Sequence, residues 1–183
     1  MLRVPRPSTS AALVAAGLLV LAGCGEPPQS KALADVVRGE QTARLNVDDF
    51  PVSYRHDGNA AVILQPMLDR VAASFARYDS EPLLTRRVAE EQQGLRQVLD
   101  ARGGGRIGGV ADLTMSDVQV SGHEARAHAR VTVWFKSAQF WQQDPRTFPS
   151  ATNILDLDLQ FVEVNGRWTI DREAEAFAPG GGP

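Results

Sequence analysis

Two stretches in the second half of the chain decide the fold: ARAHARVTVWF at residues 125–135 and LDLDLQFVEVNGRWTI at residues 155–170. Residues of opposite polarity alternate with a period of two along both. This period is typical of strands that have one face on a core and the other in water. The pair Asn165-Gly166 interrupts the second stretch and predicts a tight hairpin turn. We therefore expect an antiparallel meander in this half of the chain.

The alternation also predicts which side chains face the core. Strands are predicted at residues 113–120, 125–135, 153–164 and 167–174. The apolar phase slips at Ser116-Asp117, which indicates a β-bulge. His128, Asp156 and Asp158 share the phase opposite the leucines and are expected to pair across the outer face in solvent. Such pairing explains these residues better than catalysis does.

Helices are predicted before the strands. Apolar residues recur at spacings of three and four over residues 60–78 and again over residues 83–99. The glycines at 103–105 and 108–109 lack the lysine and serine of a phosphate loop and predict a flexible turn. Residues 30–57 show no long period and predict a short helix or an edge strand. The fold class is therefore α+β, with N-terminal helices packed on a curved four-stranded antiparallel sheet in a cone-like roll.

With this layout, residues 58 to 177 resemble the nuclear-transport-factor-2-like superfold, also called cystatin-like or SnoaL-like; the stretch at 155–170 carries the likeness. A narrower resemblance, through residues 113–121 and the strand that follows, is to the intermembrane-space domain of plastid-division proteins. The first resemblance implies a cone-shaped cavity, in which ketosteroid isomerases and scytalone dehydratases place Asp or His on the inner wall.

The N-terminus has the layout of an export signal. Arg3 and Arg6 precede an apolar run over residues 11–22. The run is shorter than the roughly 20 residues that a membrane-spanning helix needs. It ends in Leu21, Ala22, Gly23 and Cys24, a sequence that resembles the lipobox of bacterial lipoproteins.

That resemblance implies a diacylglyceryl thioether on Cys24, usually with an added N-acyl chain such as palmitate, and therefore a permanent membrane anchor. We expect a signal peptide at 1–23, a tether and irregular lead-in at 24–57, a nuclear-transport-factor-2-like domain at 58–178 and a disordered tail at 179–183. The expected location is the cell membrane or outer membrane, facing outside the cytoplasm.

Charge and composition exclude some functions. The whole chain carries 19 basic and 22 acidic residues, a formal net charge of −3 that becomes more negative once Arg3 and Arg6 are removed. Nucleic acid is therefore not expected as a partner. His56, His123 and His128 lack the i, i+4 spacing of a zinc site, so we expect no metal and no cofactor.

Two sets of residues are candidates for function. Polar side chains that could line a cavity are Tyr54, His56, Tyr78 and Asp79. The long connection between the second and third strands, with the strand before it, supplies the aromatic residues Trp134, Phe140, Trp141 and Phe148. These aromatics either cover the core or contact a partner.

Three functions remain open from the sequence. The preferred one is a membrane-tethered, non-catalytic binding or protein-interaction module. The alternative is a small-molecule-binding protein or an enzyme of the ketosteroid-isomerase or dehydratase type, with a small apolar ligand inside the cone. A third is an envelope assembly factor that forms a homodimer through the outer face of the sheet, or that holds an envelope protein through the aromatic loop.

Overall fold

The computed structural model describes residues 28–57, 59–102 and 104–181. The predicted signal peptide and Cys24 lie outside the described residues. The helices are α1 Pro28–Leu45, α2 Val52–Asp57, α3 Ala60–Phe75 and α4 Leu83–Gln97, and a π-helical turn, Val98–Arg102, follows α4. The strands are β1 Arg106–Ser121, β2 Glu124–Ser137, β3 Ser150–Val164 and β4 Arg167–Phe177.

The four strands form one antiparallel sheet in the order β1-β2-β3-β4. The inner face of the sheet carries the alternating Ala and Val of β2 and the Leu of β3, all buried in one core. Helix α1 packs against this face, and α3 and α4 form a second apolar cluster with Trp141. The predicted α+β class, with helices on a curved four-stranded antiparallel sheet, is confirmed.

The sheet has three register shifts; one lies between Val110 and Asp112 of β1, and the other two are bulges that bear on the predictions and on the site. The first lies in β1 between Ser116 and Gln119, where Asp117 has a positive φ of 52°, and it confirms the predicted bulge. The second lies in β4 beside Phe161 of β3. An extra residue at a bulge moves the residues beyond it to the opposite face of the strand. This second bulge places Glu173 on the inner face of the sheet.

The structure differs from the prediction for residues 30–57. They contribute to α1, an 18-residue helix whose Leu33 and Val37 are fully buried against the sheet. The buried face of this helix also contains Glu40 and Gln41. Because polar residues occupy part of the core-facing side, the apolar period in the sequence was incomplete.

Gly108 and Gly109 form part of β1, so the prediction of a turn there is wrong. A Cβ atom at Gly108 would stand 2.4 Å from the carbonyl oxygen of Trp134, and one at Gly109 would stand 3.1 Å from its indole Nε1. Glycine is present here because Trp134 of the neighbouring strand approaches the backbone closely. Within the described ranges, no helix combines the length and apolarity needed to cross a membrane.

Candidate functional site

A group of charged side chains is buried between α1, α4 and β4. The guanidinium of Arg87 lies 3.2 Å from the carboxylate of Glu40 and 3.1 Å from that of Glu173. Its Nε lies 3.8 Å from Asp79. All four side chains are less than a tenth exposed. We refer to Glu40, Asp79, Arg87 and Glu173 as the Arg87 cluster.

Local structure explains how each member reaches this interior position. Glu40 lies one turn after Val37 on the buried face of α1, and Arg87 lies one turn after Leu83 on that of α4. Residues 78–80 form a short bridge along β4, in which the Ile170 N–H donates to the Tyr78 carbonyl at 2.7 Å. This bridge directs the Asp79 side chain into the core.

The cluster contains more carboxylates than buried cations, which affects protonation. Burial raises the pKa of Glu40 well above its usual value, and repulsion from Glu173 raises it further. Burial also raises the pKa of Asp79 to about 6, partly offset by Arg87. Neither Asp79 oxygen, nor Glu40 Oε1, has a hydrogen-bond partner among the described residues. The cluster therefore favours keeping a proton near neutral pH.

Arg44 connects the Arg87 cluster to the surface. Its guanidinium lies 3.2 Å from Glu173, 3.9 Å from Glu40 and 3.7 Å from Glu91, and it donates a hydrogen bond to Glu175. Its side chain is a quarter exposed, so Arg44 stands at the rim where the buried charges meet solvent.

A cleft of about 180 Å³ opens beside Arg44, between α1 and the inner face of the sheet. Glu91, Arg106 and Glu175 form its charged rim. Its apolar wall comes from Leu45, Val133, Phe135, Leu155 and Phe177. The volume is below the roughly 300 Å³ at which pockets for drug-sized ligands begin.

The outer face of the sheet carries exposed ion pairs. His128 lies 3.1 Å from Asp158, and Arg130 makes two hydrogen bonds to Asp156, at 2.8 and 3.0 Å. The predicted outward orientation of His128, Asp156 and Asp158 is confirmed. Exposed pairs of this kind contribute little to the stability of a fold, because solvent screens them.

The four polar residues proposed for a cavity do not lie together. His56 is exposed on α2, and Tyr54, on the same helix, is half-buried against the second apolar cluster. Tyr78 packs over Gly39 of α1 and is half-buried. Of these four residues, Asp79 alone belongs to the Arg87 cluster.

Sequence reasoning missed Glu40, Arg87 and Glu173. A signal existed for Glu40 and Arg87, since each occupies the helical spacing of buried apolar neighbours, Val37 and Leu83. Glu173 had no such signal. The alternation along β4 assigns Glu173 to the inner face only after the shift at the bulge is taken into account. Within the parts of the chain that the structure describes, no group of His, Cys, Asp and Glu could hold a metal ion.

The loop at residues 138–149, between β2 and β3, packs on the segment between α1 and α3. The Trp141 side chain is 2% exposed, and its ring centroid lies 5.5 Å from that of Phe50. Asp144 pairs with Arg55 of α2 at 3.1 Å, and Arg146 pairs with Asp49 at 2.8 Å. The loop is therefore held in one conformation by a buried aromatic contact and two ion pairs.

The other predicted aromatics are less buried than Trp141. Phe140 is 45% exposed, although it directly precedes Trp141. Phe148 and Trp134 are half-buried. The two interpretations of the loop thus apply to different residues: Trp141 covers the core and Phe140 is presented to solvent.

The fold and site together define an α+β roll whose interior is filled by a helix and a buried ion-pair cluster. No protein-family model and no curated protein matches the chain.

Among solved structures, the chain is similar to the intermembrane space region of the chloroplast protein ARC6, with 12% identity, 68% of this chain and 96% of that chain covered, and a TM-score of 0.47. It is also similar to a protein assigned as scytalone dehydratase from Novosphingobium aromaticivorans, with 11% identity, 82% and 85% of the two chains covered, and a TM-score of 0.43. A protein of unknown function with a cystatin-like fold from Nostoc punctiforme is 16% identical, with 70% and 86% covered and a TM-score of 0.35.

Proposed function

We propose that the chain is a lipid-anchored, extracytoplasmic and non-catalytic binding module of the nuclear-transport-factor-2-like class, and that it holds a protein of the cell envelope through the loop at residues 138–149. The observation that carries this proposal is the exposure of Phe140 on a loop that is otherwise fixed. A large aromatic side chain held in place loses little conformational entropy on binding.

The surface around the loop supports this proposal. Val52, in the first turn of α2, is 61% exposed. The Arg55–Asp144 pair joins the loop to α2, and the Phe50–Trp141 contact joins it to the segment just before α2. Phe140 and Val52 therefore belong to two segments that are fixed to each other. Protein interfaces commonly have such an apolar centre surrounded by a polar rim.

The interior of the domain supports a non-catalytic role. Leu33 and Val37 of α1 occupy the space under the sheet, and the Arg87 cluster is enclosed by protein. The cleft of about 180 Å³ reaches Arg44 but has little room for a substrate. Buried charges that are paired in this way act as structural contacts more often than as catalytic groups.

The anchor is tested by metabolic labelling with a clickable fatty acid. We expect label on the wild-type protein and none on a Cys24→Ala variant. Equal labelling of the two proteins would contradict the anchor and leave the binding surface to be tested separately.

The binding surface is tested by site-specific photo-crosslinking in cells from position 140, with position 164 as the control. Val164 is 48% exposed in β3, so it matches Phe140 in apolar exposure but lies at the other end of the sheet. We expect one adduct from position 140. With the crosslinker at the neighbouring Gln142 instead, Phe140→Ala should weaken that adduct and Val164→Ala should not. An adduct of twice the chain mass would identify the partner as a second copy. Identical adducts from both positions would refute the proposal.

A second candidate function is binding or proton transfer on a small molecule at the Arg44 cleft, by an enzyme of the ketosteroid-isomerase or dehydratase type. The observation that favours it is the raised pKa of Asp79, about 6, in a cluster that Arg44 links to that cleft. The test is a fragment screen by thermal shift. A fragment that raises the Tm of the wild type and not of Arg44→Met would support this candidate over a purely structural cluster.

A further inference from the structure

Helix α1 runs along β4 in the same direction as that strand. Glu40 of α1 and Glu173 of β4 both contact Arg87. One turn further along α1, Arg44 donates a hydrogen bond to Glu175, which lies two residues further along β4. At the end of α1, the Asn46 amide donates to the Gly108 carbonyl at 2.7 Å, near the start of β1. The first turn of α1 therefore points toward the start of β4.

Both hairpin turns of the sheet lie at that end. Residues 122–123 join β1 to β2, and Asn165-Gly166 joins β3 to β4. The Glu163 N–H donates to the His123 carbonyl at 2.8 Å, which holds the two hairpins side by side. We call this surface the two-turn end. The loop at residues 138–149 lies at the opposite end of β2 and β3.

The chain between the proposed anchor and the domain is short. Residues 25–27 separate Cys24 from Pro28, the first residue of α1. Four residues of fully extended chain span at most about 14 Å. Ser30 and Leu33 are buried, so α1 is held against the domain from its first turns. The lipid must therefore lie within that short distance of the start of α1.

From this geometry we infer that the two-turn end rests on the lipid headgroups, and that the loop at 138–149 is directed away from the membrane. This inference rests on the proposed lipid anchor. Strand β3 has 15 residues, and at about 3.3 Å per residue it places Phe140 up to about 45 Å from the two-turn end. A partner would thus be held well above the bilayer surface.

The chemistry of the two-turn end fits headgroups of any charge. Val164 is 48% exposed beside the turn. His123 lies 3.0 Å from Glu163, and near the two turns the strands carry Glu124 and Arg167, one acidic and one basic residue. Because this surface has no excess of Lys and Arg among the described residues, attraction to anionic lipid is not what orients the domain. The short tether sets the orientation.

The test uses the full lipidated chain in vesicles. Cys24 is the only cysteine, and its sulfur is consumed in the thioether, so one added cysteine can be labelled selectively. Val164→Cys places a fluorophore at the two-turn end, and Gln142→Cys places one in the loop. The vesicles are phosphatidylcholine with a nitroxide on the headgroup, and a second set contains phosphatidylglycerol as well.

We expect strong quenching at position 164, several-fold weaker quenching at position 142, and the same ratio in both vesicle types. Equal quenching, the reverse order, or quenching at 164 only with anionic lipid would overturn the inference. The intact mass of each protein separates the two failures. A lipidated protein with the wrong quenching order refutes the orientation alone, whereas a protein without lipid refutes the anchor on which it rests.

Discussion

The guanidinium of Arg87 lies 3.2 Å from the carboxylate of Glu40, and both side chains are buried. This contact joins α4 to α1, and the additional contact of Arg87 with Glu173 joins both helices to β4. Three elements that are distant in sequence therefore meet at one cation. Removal of that cation would leave three buried carboxylates offset mainly by the partly exposed Arg44, which costs more than the loss of an exposed pair.

Arg87→Met should lower the free energy of unfolding by about 3 to 5 kcal/mol at pH 7.5, because it keeps the aliphatic length of the side chain and removes its charge. The matched control is Arg86→Met, since the Arg86 side chain is 61% exposed and its pair with Glu90 spans 4.0 Å. The control should change stability by less than about 0.5 kcal/mol. Urea denaturation measures both, and similar values for the two variants would show that the buried pairing contributes little.

Stability should fall as the pH rises from about 4 to about 7.5. A carboxyl whose pKa is raised by folding binds its proton more tightly in the folded state. The resulting stabilisation is complete below the unfolded pKa of 3.8 and is lost through the folded pKa of about 6 for Asp79. Glu40, whose pKa is also raised, contributes in the same direction.

The expected loss over this range is about 1 to 3 kcal/mol, from about 1.4 kcal/mol per unit of pKa difference. Asp79→Asn should reduce the slope, and Asp100→Asn on the π-helical turn serves as the control. Denaturation midpoints measured at pH 4.5, 6 and 7.5 provide the comparison. A wild-type stability that rises steadily with pH over this interval would contradict the assignment.

Trp141→Ala should destabilise the domain by about 3 to 5 kcal/mol, because it removes a buried aromatic side chain that contacts Phe50. Phe140→Ala should change stability by less than about 1 kcal/mol, since that ring is 45% exposed. Thermal unfolding of the two variants checks the difference. Comparable losses would mean that Phe140 is part of the core and is not available to a partner.

Gly108→Ala should destabilise the domain by about 1 to 3 kcal/mol, because the added Cβ would stand 2.4 Å from the Trp134 carbonyl oxygen and would force the strands apart. Gly94→Ala is the control, since nothing lies within 4 Å of its added Cβ in α4. In that helix the change should stabilise by about 0.5 to 1 kcal/mol. Opposite signs in the measured free energies of unfolding are the expected result.

Much of the sheet could be predicted from sequence because its signals are local. The alternation at 125–135 and 155–161, the turn at Asn165-Gly166 and the bulge at Ser116-Asp117 each depend on a few neighbouring residues. Helix α1 could not be assigned in the same way. Its buried face includes Glu40, which interrupts the apolar period, and Arg87, the partner that makes this interior position possible, lies far along the chain.

The sequence by itself determined the α+β class and the outward direction of Asp156 and Asp158, since the period of a strand is a property of adjacent residues. A short motif of the same local kind predicts a lipid on Cys24. Only the tertiary structure decided that Asp79 joins Glu40, Arg87 and Glu173, and that Trp141 is buried while Phe140 is exposed. Those arrangements depend on the bulge in β4, on the bridge at residues 78–80 and on the packing of the loop against Phe50. Each of these contacts joins segments that are far apart in the sequence, so no local pattern indicates it.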